Sequence, residues 1–134
     1  VQVPQRQLRA LFGLVAFAMA QQDIRYYLNG LLLVIDKNSV LAVATDGHRL
    51  SYASLALEGD YTHQEVILPR KTVLELARQL ADSDDPVSIT LIGNQARFQF
   101  GPIELITKLD VQAPSDAETE LIISVKAKLS TCFR

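Results

Sequence analysis

The stretch ATDGHRLSY, residues 44–52, places an aspartate, a histidine and an arginine within four positions. Asp46, His48 and Arg49 are residue types that an acid–base site uses, because histidine titrates near neutrality and a carboxylate can orient it. One reading is therefore a small enzyme built on His48. That reading needs a nucleophile beside the histidine or a second carboxylate, and Thr45, next to Asp46 on a strand, points to the opposite face. No triad is indicated. Asp46-Gly47 is equally a tight-turn pair, since glycine accepts positive φ and aspartate bonds its own turn, so the spacing also predicts a hairpin turn.

Two further groups of polar residues suit recognition better than catalysis. QQDIRYY, residues 21–27, carries Gln22, Arg25, Tyr26 and Tyr27 just beyond a helical pattern. Tyrosine planes pack on sugars or exposed bases, and arginine or glutamine bonds phosphate; of two adjacent tyrosines, one is ordinarily a core residue. The other group is basic: Arg6 and Arg9 follow Pro4, and Arg70, Lys71 and Arg78 follow Pro69.

Both basic groups sit on elements that the periodicity defines. VQV is a short strand; Pro4 opens a helix whose Leu8, Leu11, Phe12, Val15 and Met19 form one apolar stripe. The runs LLLVID (31–36), VLAVAT (40–45) and RLSYASL (49–55) read as a meander of hairpins, broken at Lys-Asn-Ser and Asp-Gly-His. The plan then restarts: EVIL (65–68) is a strand, and Pro69 opens a second helix with Val73, Leu76, Ala77 and Leu80 inward. VSITLI, ARFQF and IELIT supply three more strands, turned at Gly93-Asn94 and Gly101-Pro102. Strand, proline and basic helix thus repeat at a period of about 65 residues, which predicts two similar halves and a pseudo-two-fold domain. Two helices and about eight strands give an α+β fold with antiparallel sheets. Gln5, Arg6 and Arg9 face outward on the first helix, and Arg70, Lys71 and Arg78 on the second. Acidic residues collect elsewhere, in ADSDD (81–85) and DAETE (116–120), so one face is cationic.

The 134 residues suffice for about one domain, and the net charge of −2 speaks against a binder working by gross positive charge. No apolar run approaches the length of a membrane span, and VQVPQRQ lacks the order of a signal peptide, so a cytoplasmic protein is expected. One cysteine, Cys132, and two scattered histidines make neither a disulfide framework nor a zinc site; no metal or cofactor is implied.

The segments VPQRQLRALFGLVAFAMAQQDIRYYLNG, VATDGHRL and VILPRKTVLEL, in this order and at these separations, resemble the middle domain of the bacterial sliding clamp, the β subunit of DNA polymerase III. The resemblance runs from Val1 to about Leu109. It implies a DNA-clamp fold, with the two helices inside and the sheets outside, as one part of a three-domain subunit whose homodimer closes a ring. It implies a non-catalytic processivity factor that encircles duplex DNA. Implied partners are the polymerase III catalytic subunit, the clamp loader and repair polymerases, which bind through short linear motifs. By match, Leu28, Thr45, Gly47, His48, Arg49 and Leu50 contribute to the hydrophobic peptide pocket, with Pro114 from the interdomain link. Gln22, Arg25, Tyr26 and Tyr27 match DNA-contacting positions, helped by Arg6, Arg9, Arg70 and Lys71. Residues 110–134 depart from the family pattern and form a divergent tail. A generic protein-interaction domain without a DNA role is the alternative from another class.

Overall fold

The computed structural model describes residues 1–21 and 29–109. Strand β1 (Gln2–Pro4) leads directly into helix α1 (Gln5–Val15), which tightens into a 3-10 turn at Ala16–Ala18. Pro4 stands at the junction with φ −58° and ψ 138°, an extended residue whose ring fixes the angle at which the helix starts. Leu8, Leu11, Phe12, Val15 and Met19 are all buried, so the spacing of three and four does produce one inward stripe. Helix α2 (Arg70–Gln79) follows Pro69 in the same manner, with φ −59° and ψ 145°, and buries Val73 and Leu76.

Between the helices run two long strands, β2 (Gly30–Thr45) and β3 (Leu50–Pro69). They pair antiparallel in two blocks, 30–35 against 64–69 and 39–45 against 50–56, with register shifts on either side of Lys37. Lys37 has a φ of 50°, the left-handed conformation of a sharp bend. Leu32, Val34, Val43 and Ile67 pack together on one face, joined by Leu41 and Leu50. A straight strand would hold Leu32 and Val43 about 36 Å apart at its usual rise, so β2 folds back at residues 36–39 and lays its halves side by side.

The separate runs expected from sequence are therefore joined, and the count of about eight strands becomes six. The hydrogen-bonded pattern carries through the bend, where Lys37 opposes Tyr61, and through residues 56–65, so LLLVID with VLAVAT, and RLSYASL with EVIL, are continuous. On the opposite side of the core, β4 (Pro86–Ile92), β5 (Gln95–Phe100) and β6 (Ile103–Lys108) form a meander to which β1 adds at the edge, in the order β1-β4-β5-β6. The two-residue turns at Gly93-Asn94 and Gly101-Pro102 fall where the sequence predicts them, each with glycine at positive φ (58° and 56°) in the first central position.

One core joins these layers. Its largest fully buried side chains are Phe12, Phe98, Leu8, Leu31, Leu33, Ile35, Leu68 and Leu76, drawn from both helices and both sheets. Burying each contributes roughly 1.5–3 kcal/mol relative to leaving it in water. The helices lie against each other and against β2 and β3. Among the described residues, no helix is long and apolar enough to cross a membrane, and no group of three or more His, Cys, Asp or Glu is placed to hold a metal ion.

Candidate interaction surfaces

The turn between β2 and β3 is built from its own side chains. Thr45 pairs with Leu50 across the strand ends, and Gly47 takes a φ of 93°, which a side chain would strain. Asp46 Oδ1 accepts from the backbone amides of His48 at 2.9 Å and Arg49 at 3.0 Å. Its other oxygen accepts from Arg49 Nε at 3.1 Å. The amides of His48 and Arg49, reinforced by the Arg49 charge, hold the Asp46 carboxyl below its ordinary range. Thr45 Oγ1 donates to the Arg49 carbonyl at 2.7 Å and accepts from the Gly47 amide at 3.1 Å.

This bonding answers what the dense ionisable stretch does. The carboxylate and the hydroxyl that a catalytic reading would require are committed to closing a turn, while His48 projects into solvent. The turn also reaches α1. Arg49 Nη2 donates to the Phe17 carbonyl at 2.8 Å, and Ser51 Oγ donates to the Leu14 carbonyl at 2.7 Å. Helix α1 has no basic residue in its last turn, so Arg49 from the turn and Ser51 from β3 satisfy carbonyls at the end of the helix and in the 3-10 turn that follows it. Sequence reasoning missed this use of Arg49 and Ser51, because the partners lie 32 and 37 residues away.

Leu50, half-buried, packs against the small apolar group of Leu32, Val34, Val43 and Ile67. Thr45, Gly47, His48, Arg49 and Leu50 therefore form one continuous surface, and Leu50 gives it an apolar floor. Leu14 and Phe17 extend it with exposed apolar area, 61% and 58% accessible, and the Arg49 guanidinium lies 5.3 Å from the Phe17 ring centre. Leu28 and Pro114, the other residues matched to the peptide pocket, lie outside the described residues.

Of the residues matched to DNA contact, Gln22, Arg25, Tyr26 and Tyr27 likewise lie outside the described residues. Arg6 and Arg9 are exposed on α1; on α2 Lys71 is exposed and Arg70 half-buried. Two expectations need correcting. Gln5 does not face outward: it is 6% accessible, and its side-chain oxygen accepts from the Ala81 amide at 3.0 Å. The acidic run 81–85 does not sit apart from the cationic residues either, because Asp82 and Asp84 pair with Arg6 at 2.9 and 3.5 Å. Both corrections share one cause. The first amides of α1 lack helical partners, and the loop before β4 supplies them: Gln5 N donates to Asp85 O at 3.0 Å and Arg6 N to Ser83 O at 2.9 Å.

Two helices packed on antiparallel sheets give an α+β domain that exposes Leu14 and Phe17 beside Arg49. The family described as DNA polymerase III beta subunit, central domain, matches residues 2–115. The beta sliding clamp of Pseudomonas putida is 49% identical over 107 residues, which are 78% of this chain and 29% of that protein. The beta sliding clamp of Escherichia coli is 38% identical over 107 residues, 80% of this chain and 29% of that protein. Among solved structures, the DNA polymerase III subunit beta of Pseudomonas aeruginosa superimposes with a TM-score of 0.80 at 42% identity, covering 89% of this chain and 33% of that one. The sliding clamp of Bacillus subtilis does so with a TM-score of 0.80 at 25% identity, covering 89% and 32%. The chain belongs to the family of the DNA polymerase III beta subunit, as its central domain, and spans about a third of the length of the relatives it matches.

Proposed function

We propose that the chain acts as the middle part of a DNA sliding clamp: a non-catalytic processivity factor that helps encircle duplex DNA and docks replication and repair proteins. The observation that carries this reading is its membership of the beta-subunit family, with 42% identity and a TM-score of 0.80 to a solved beta subunit. Arg6, Arg9, Arg70 and Lys71, with Gln22, Arg25, Tyr26 and Tyr27, are the proposed DNA contacts. A ring tethers by topology, so a few phosphate contacts suffice and tight binding would hinder sliding. A homodimeric ring, and the polymerase III catalytic subunit, clamp loader and repair polymerases as partners, complete the proposal.

The surface around the 46–49 turn is the proposed docking site. A linear motif binds by placing apolar side chains in a concavity while a few polar groups fix its direction. Leu28 and Leu50 supply the wall, Thr45 and Gly47 the backbone approach, His48 and Arg49 the polar rim, and Pro114 the link side. Calorimetric titration with a peptide of the pattern Gln-Leu-x-Leu-Phe tests it. Weak binding is expected from one domain's share of the pocket, and Leu50→Ala should weaken it by roughly 1–3 kcal/mol. Tight binding unchanged by Leu50→Ala would refute the assignment.

A further inference from the structure

We infer that the loop at residues 81–85 is a built-in competitor for DNA at Arg6: Asp82 and Asp84 occupy the guanidinium that would otherwise bond a phosphate. The inference rests on the proposed DNA role of the helix faces and adds to it a device that tunes affinity.

The geometry is that of a framed ion pair. Arg6 Nε lies 2.9 Å from Asp82 Oδ1, and Arg6 Nη1 lies 3.5 Å from Asp84 Oδ1. The loop that presents these carboxylates is fixed independently of them. Its Ser83 and Asp85 carbonyls accept the first two amides of α1, the Ala81 amide donates to the Gln5 side chain, and the Asp85 amide donates to Ser83 Oγ at 3.0 Å. Three hydrogen bonds therefore seat the loop against the helix start and a fourth braces it internally, so much of the ordering cost of the ion pair is met without the carboxylates. Two carboxylate oxygens offered to one guanidinium reproduce what a phosphate offers.

The lock is nonetheless weak. Arg6 is 55% accessible and its partners 76% and 79%, so water screens the attraction and the pair shifts an equilibrium only a few-fold. A phosphate gains counterion release that a carboxylate of the same chain does not. Arg6 then exchanges between the loop and DNA, a grip that weakens duplex binding without abolishing it and suits a domain that must slide.

The test is fluorescence anisotropy of a labelled duplex across a salt series with the 134-residue chain. Asn for Asp keeps the backbone bonds, and thermal unfolding checks that the variants fold. Asp82→Asn combined with Asp84→Asn should tighten binding about three- to five-fold at low salt. The slope of log K against log salt should steepen by up to about 0.9, the value of one full phosphate contact. On an Arg6→Gln background the same pair of changes should give no gain. An equal gain on that background means plain repulsion and overturns the inference, as does no gain on either background while the wild type binds DNA. Absence of duplex binding by the wild type and every variant overturns the DNA reading itself, and the inference with it.

Discussion

Arg49 holds Phe17 in two ways, donating from Nη2 to its carbonyl at 2.8 Å while its guanidinium lies 5.3 Å from the centre of its ring. One side chain thus ties the proposed peptide surface to the end of α1. Arg49→Ala should lower stability by about 1 kcal/mol, since a charged hydrogen bond and an exposed cation–π contact are lost together. Arg49→Lys should recover little of it, because a point charge cannot bond Asp46 and the Phe17 carbonyl while covering the ring. Urea unfolding of the three proteins checks this; full recovery by lysine would contradict it.

The turn carries a pH signature. Backbone amides and Arg49 depress the Asp46 carboxyl below its reference of 3.8, so the folded state binds that proton less readily than the unfolded chain. Its stabilising effect is therefore fully present above the reference value and is lost as pH falls through the lower folded value. Wild type and Asp46→Asn should differ by a constant stability near neutrality, and the gap should close only below pH 3.8. A carbon-detected carboxyl titration of Asp46 reads the same shift directly, and a midpoint at or above 3.8 would contradict it.

Gly30 opens β2 where no side chain fits. A Cβ there would collide with the Leu68 carbonyl oxygen, and a backbone atom inside the 30–35 to 64–69 ladder cannot step aside. Gly30→Ala should destabilise by about 1–3 kcal/mol, the usual cost of overpacking. An unchanged urea midpoint would show that the ladder gives way without cost.

Local rules made part of this molecule readable. The stripe from Leu8 to Met19, the two Pro-led helix starts and the Gly93 and Gly101 turns depend on residues within a few positions of each other, and periodicity or φ preference fixes them. Val3 and Leu68, Leu8 and Val73, and Leu11 and Leu76, pairs 65 residues apart, are all buried. What escaped reading is non-local. Gln5 looked like a solvated helix residue, yet its partner Ala81 is 76 residues away, and Arg6 meets Asp82 at the same separation. Gly30 pairs with Pro69 and meets the Leu68 carbonyl only because β2 and β3 pair end to end. Residue types mark Asp46, His48 and Arg49 as a candidate site, but only the bonds within the turn show that Asp46 and Thr45 are committed to closing it.

The proposed contact with DNA involves Arg25 and the basic residues of the two helices. Anisotropy of a labelled duplex at low salt, comparing the chain with Arg25→Glu combined with Lys71→Glu, tests it most directly. About two to four phosphate contacts predict weak, sequence-independent binding with a salt slope of roughly −2 to −4, and charge reversal should remove most of it. Binding of the same strength and slope in the reversed variant would contradict the account.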